Sequence, residues 1–110
     1  MDVWKRSMDL VELIYKISAA FPNEERYGLT SQIRRAAVSV PSNIAEGAAR
    51  RSDKEFIRFI CIAMGSLSEI ETQYQLAIRL EFIKETPDIN ALLKSVAKLL
   101  MGTRNYLLKK

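Results

Sequence analysis

The sequence contains no histidine. This removes Ser-His and Cys-His nucleophilic pairs, and also the Glu-x-x-His pattern by which helical bundles hold two metal ions. A single cysteine, Cys61, permits no internal disulfide and fits a reducing compartment. No run of 18 apolar residues occurs, so no membrane span is expected. The N-terminal MDVWKRSMDL has charges scattered through it and lacks the uninterrupted apolar core of a signal peptide. The expectation is a cytoplasmic protein without a cofactor. With four glycines, three prolines, 48% hydrophobic and 27% charged residues, the composition is that of an ordinary globular domain. Its 110 residues make one domain, 1–110, able to bury roughly 65% of its unfolded surface.

What is present is a patterned excess of positive charge. The formal net charge is +4. Residues 1–29 carry a net −1, residues 30–51 a net +3, residues 52–85 a net −2 and residues 86–110 a net +4. Basic and acidic segments therefore alternate along the chain.

Apolar spacing divides the same chain into four helices. From Val3 to Phe21, the positions Trp4, Met8, Val11, Ile14, Ile17 and Phe21 recur at three and four residues and predict one helix face. Pro22 ends that helix, because proline disfavours helical geometry in the residue before it. After the polar stretch Asn23 to Gly28, Thr30 is the predicted N-cap of a second helix with an inward stripe of Ile33, Ala37, Val40, Ile44 and Ala48. Pro41 lies inside this pattern. The stripe stays in phase across it, so a kink is expected rather than a break, with Ser42 and Asn43 serving the backbone groups it leaves open. Ser52-Asp53-Lys54-Glu55 fits a capping box that starts the third helix. Thr86-Pro87-Asp88 starts the fourth, whose apolar residues follow a near-heptad rhythm. Short connections then predict an all-α, up-down-up-down antiparallel four-helix bundle with the second and fourth helices on a diagonal.

Two features exceed what one bundle of this size can bury. Residues 56–64, FIRFICIAM, are apolar at eight of nine positions. A helix apolar nearly all round is buried nearly all round, so Ile57, Cys61 and Ile62 are assigned to a subunit interface. Cys61 itself is expected to be inert buried packing. The second feature is the small-residue side of helix two, Ser39, Ser42, Ala45 and Ala49, also assigned to the interface because small side chains allow backbones to approach closely. Gly65 is expected to mark another close approach, since glycine in mid-helix costs about 1 kcal/mol relative to alanine.

No catalytic group emerges. Glu69 and Glu71 are two residues apart and point to different helix faces, so they and Glu46 are read as ion-pair partners rather than an acid/base or metal site. The cationic candidates are Arg34, Arg35, Arg50, Arg51, Lys54 and Arg58. The strongest group is Arg50, Arg51 and Lys54, because it surrounds a helix N-terminus whose free N–H groups also favour anions. Arg34 and Arg35 are read either as ligand contacts or as ion-pair partners of Glu46 or Glu69. No sequence-reading motif accompanies these cations, so RNA or DNA binding through phosphates, without base readout, is the expected activity. A purely structural scaffold is the alternative.

The runs FPNEERYGLTSQIRRAAVSVPSNIAEGAARRS and KEFIRFICIAMGSLSEIETQ resemble the bacterial four-helix-bundle proteins encoded in intervening sequences of 23S ribosomal RNA genes. The resemblance spans about residues 4–83, with SVPSNIAEG and GSLSEIET its most specific parts. It implies a homopentamer and a nucleic-acid-linked role. Through a relative that assists the reverse transcriptase of diversity-generating retroelements, it also implies a possible protein partner of that kind.

Overall fold

The computed structural model describes residues 1–110. It contains α1 (Asp2–Ser18), a 3-10 turn (Asn23–Glu25), α2 (Leu29–Ala48), α3 (Asp53–Arg79) and α4 (Pro87–Lys109). Each helix packs on its chain neighbours and α1 closes against α4, so α1 faces α3, and α2 faces α4, only across the diagonals. Neighbours run antiparallel. Met1 and Trp4 meet Ile44 and Ala48 at the far end of α2, Ser39 bonds Ser66, Tyr74 bonds Thr86, and Lys110 pairs with Asp53. No helix is long and apolar enough to cross a membrane.

Two of the three predicted helix starts stand where the sequence places them. Ser52 caps α3, its Oγ accepting the Glu55 N–H at 3.2 Å, and Pro87 stands at the first position of α4. Thr30, however, is not the cap of α2. That helix begins at Leu29, whose N–H donates to the Glu25 carboxylate at 3.0 Å, so a side chain from the preceding turn does the capping. At the other end of α3, Glu81 adopts φ 63°. Its N–H donates to Ile78 O and that of Phe82 to Ala77 O, a Schellman closure that satisfies two helix-end carbonyls.

The register of α1 differs from its apolar spacing. The inward residues are Val3, Ser7, Leu10, Ile14 and Ser18, whereas Trp4 and Met8 are 38% and 41% exposed. The two serines tolerate burial because each hydroxyl donates within its own helix, Ser7 to Trp4 O at 2.8 Å and Ser18 to Tyr15 O at 3.3 Å. Neither hydroxyl then carries an unmet hydrogen bond into the core.

Proline 41 is buried and α2 runs through it without a break. The Asn43 side chain donates to Ser39 O at 2.8 Å and to Ser39 Oγ at 2.9 Å, and so braces the turn around the proline. Ser42 makes no such bond and is exposed.

Close helix approach occurs at Gly47, not at Gly65. A Cβ on Gly47 would lie 2.7 Å from Phe59 Cβ and 3.0 Å from a ring carbon of Phe56, while one on Gly65 would meet nothing within 4 Å. Within FIRFICIAM, Phe59, Ile60 and Ala63 are buried, and Phe56, Ile57 and Met64 are half-buried. Cys61 and Ile62 lie on the protomer surface, so Cys61 is not packed in the core.

The two glycines predict opposite effects. Gly47→Ala forces α2 off α3 and is expected to lower stability by about 1–3 kcal/mol. Gly65→Ala adds a methyl group in open space and should raise it by up to about 1 kcal/mol through helix propensity. Urea unfolding of the two variants decides this; a neutral Gly47→Ala would mean that the approach of α2 to α3 is not tight.

Candidate nucleic-acid interface

The chain folds so that its basic segments meet at one end of the bundle. The 49–52 connection brings the end of α2 to the start of α3, and antiparallel packing returns the end of α4 to the same place. Seven cations gather there, Arg50, Arg51, Lys54, Arg58, Arg104, Lys109 and Lys110, against three anions, Glu46, Asp53 and Glu55. Their roles differ. Arg50 pairs with Glu46 at 3.2 Å and lies 5.0 Å above the Phe59 ring. Arg58 pairs with Glu55 at 3.6 Å and stands 5.8 Å from the same ring. Arg51 and Lys54 are exposed and engage no acid. Lys110 pairs with Asp53. The corner therefore has tethered cations on the one hand and, on the other, Arg51 and Lys54 beside the first turn of α3 with Arg104 and Lys109 on α4, none of which engages an acid.

Arg34 and Arg35 lie away from this corner, on the half of α2 that packs on the end of α1. Arg34 pairs with neither Glu46 nor Glu69. Its Nε donates to Ser18 Oγ at 2.8 Å, a terminal nitrogen donates to Tyr15 O at 3.2 Å, and the guanidinium covers the Tyr15 ring at 4.6 Å. A cation there also complements the negative end of the α1 dipole. Arg34 is thus a structural clasp between α1 and α2. Arg35 is exposed and forms no ion pair.

Around Arg34 the fold assembles a surface that is scattered in the sequence. Tyr15 from α1, Arg26 and Tyr27 from the connection, and Arg34 and Arg35 from α2 line one open groove of about 600 Å³. No acidic residue lines it. Tyr27 is 87% exposed, with Arg26 5.5 Å from its ring. Basic and aromatic side chains interleaved in this way are the usual components of a surface for single-stranded nucleic acid. Spacing could not reveal it, because Tyr15 is separated from Arg34 by an entire connection; the adjacent pair Arg26-Tyr27 was the one local sign.

The residues assigned to an interface also divide. Ser39 faces α3, hydrogen-bonded to buried Ser66 at 2.8 Å, and belongs to the protomer's own packing. Ser42 and Ala45 line an apolar groove with Trp4, Met8, Val11, Val38 and Pro41. Ala49, Cys61 and Ile62 are exposed and Ile57 is half-buried. The carboxylates do not converge. Glu46 is held by Arg50, Glu69 lies in a cleft between α2 and α3, and Glu71 opens onto a separate groove.

The clasp is open to test. Arg34→Ala should cost about 1–3 kcal/mol through two lost hydrogen bonds and the lost ring contact. Arg34→Lys should recover only part of this, since an ammonium cannot reproduce the planar fork. Equal stability of the wild type and both variants in guanidinium denaturation would remove the clasp.

The crystal structure, at 1.70 Å resolution, of a protein of unknown function from the S23 ribosomal protein family of Bacteroides thetaiotaomicron VPI-5482 superposes on this chain with a TM-score of 0.84. The two are 27% identical, over 94% of this chain and 95% of the other. No curated protein matches. The model of the 23S rRNA-intervening sequence protein family matches residues 1–102, which takes in all of α1 to α3 and most of α4. With four helices in the arrangement described and a match over nearly its whole length, the chain belongs to the 23S rRNA-intervening sequence protein family.

Proposed function

We propose that the protein is a non-enzymatic, oligomeric partner of RNA or DNA that holds phosphates through its basic surfaces. The observation that carries this reading is the corner at the start of α3, where seven cations meet three anions and Arg51 and Lys54 remain unpaired. Cations already bound to acids contribute little further attraction, whereas two free ones beside exposed helix N–H groups are ready for a polyanion. The family name is consistent with an RNA-linked setting.

The apolar surface left over on the protomer supports the oligomer. Single exposed apolar residues are normal, but the α1–α2 groove gathers Trp4, Met8, Val11, Val38, Pro41 and Ala45 in one place. A second set, Ile57, Cys61 and Ile62, sits on α3, diagonal to α1. Two different patches on different sides suit a head-to-tail contact, and such contacts close into rings when the rotation permits. We read the ring as a homopentamer, in line with the family resemblance. A ring would repeat the basic corner once per subunit and strengthen its field. The same apolar surfaces favour a second reading, a scaffold that binds another protein such as a reverse transcriptase.

Sedimentation equilibrium at micromolar concentration should give a mass about five times that of the chain; a monomer would refute the ring. Binding to labelled RNA or DNA should weaken with salt, with a log–log slope of about −0.7 to −0.9 per phosphate contacted. Arg51→Ala with Lys54→Ala should make that slope shallower by up to two contacts while leaving helicity and mass unchanged. Absence of binding at low salt would reject the nucleic-acid reading in favour of the scaffold.

A further inference from the structure

The tyrosine–arginine groove differs from the basic corner in what it offers a ligand. Its lining holds two tyrosines, three arginines and no acid, around a volume of about 600 Å³. Tyr27, 87% exposed, is the most exposed of the large hydrophobic side chains, and the Arg26 guanidinium lies 5.5 Å from its ring. A second ring–guanidinium pair comes from the helices. Arg34 lies 4.6 Å from the centre of the Tyr15 ring, and its hydrogen bonds to Ser18 Oγ and Tyr15 O, at 2.8 and 3.2 Å, fix the guanidinium in place. Arg26 and Arg35 form no ion pair. Of the nearby acids, Glu25 is engaged in accepting the Leu29 N–H at 3.0 Å, and Glu24 lies outside the lining.

We propose that this groove is a binding site for single-stranded nucleic acid, which selects unpaired strands over duplexes and does not choose among bases. The inference rests on the nucleic-acid reading above and adds the form of strand that is taken. Aromatic rings and guanidinium planes bind the flat face of a base, and that face is open only where the base is unstacked. Inside a duplex both faces are covered by neighbouring pairs, so the ring of Tyr27 has nothing to stack on. The groove presents two such stations, one at Tyr27 with Arg26 and one at Arg34 over Tyr15. Arg34 loses little freedom on binding, because its hydrogen bonds already hold it. Arg35, unpaired and lining the same groove, supplies a phosphate contact. Charge alone does not define this site. The end of the bundle to which it belongs is near neutral, with four cations and five anions over residues 16–28 and 79–88. A duplex, whose phosphates are more densely spaced, is drawn to the basic corner instead. Stacking is what the groove adds, and stacking is sequence-tolerant.

The test uses the full chain and a fluorescein-labelled RNA dodecamer without self-complementarity, either alone or annealed to its complement. Fluorescence anisotropy at low salt should show Tyr27→Ala weakening the single strand about fivefold or more while leaving duplex affinity unchanged. Tyr27→Phe, which keeps the ring, should bind both forms as the wild type does. Tyr27 is exposed enough that neither change disturbs the fold, and circular dichroism should show the same helicity for all three proteins. A loss for the single strand that is absent, or no greater than the loss for the duplex, would overturn the single-strand site and leave the phosphate reading in place. Failure of the wild type to bind either form would overturn both.

Discussion

The contact of Gly47 with the ring and backbone of α3 is the constraint on which the remaining geometry depends. Phe59 is wedged against α2 where a side chain on residue 47 has no room. Because glycine occupies that position, the helices approach closely and the four-residue connection 49–52 can turn the chain directly into α3. The far side of Phe59 is then covered by Arg50 and Arg58, which lie over its ring. One aromatic residue thus joins the packing of two helices to the placement of the arginines at the basic corner. Farther along the same seam, the Ser39–Ser66 hydrogen bond continues the contact with small polar groups, and the cleft containing Gln73 opens where it widens.

Electrostatics in this protein is a matter of which cations are already engaged. Arg34, Arg50 and Arg58 are held by rings, carbonyls or carboxylates and shape the surface rather than offer a free charge. Arg35, Arg51 and Lys54 make no ion pair. The opposite end of the bundle, residues 16–28 and 79–88, carries four cations, Lys16, Arg26, Arg79 and Lys84, and five anions, Glu24, Glu25, Glu81, Glu85 and Asp88. The long axis of the protomer, 46 Å, is several times the Debye length of about 8 Å at physiological salt, so the two ends act on solutes separately. The protomer therefore has a basic end and a near-neutral one, with the tyrosine–arginine groove near the latter.

Much of the fold was legible from local chemistry. Ser52 with Glu55, and Thr86 with Pro87, marked two helix starts because capping is settled within one turn of chain. The α1 register was misleading for an equally physical reason. Trp4 and Met8 lie outside the core, while Ser7 and Ser18 enter it with hydroxyls satisfied inside the helix. A pattern that assigns inside and outside by polarity ranks those positions in the reverse order. Gly65 misled likewise, since a glycine is needed for close approach only if something approaches.

The sequence by itself determined the number of helices, most of their limits, the diagonal placement of α2 and α4, and the excess of positive charge around Arg50, Arg51 and Lys54. Each depends on interactions within a few residues or on the short reach of the connections. The tertiary structure decided that Arg34 is a clasp, that Ser39 packs inside the protomer, and that Cys61 lies on its surface. It alone joined Tyr15 and Tyr27 to three arginines in one groove, and Gln73 to Arg35 and Glu69 in one cleft. Those groupings unite residues from different elements, and the rotation of each helix about its own axis, set by packing against two neighbours at once, determines which of them meet.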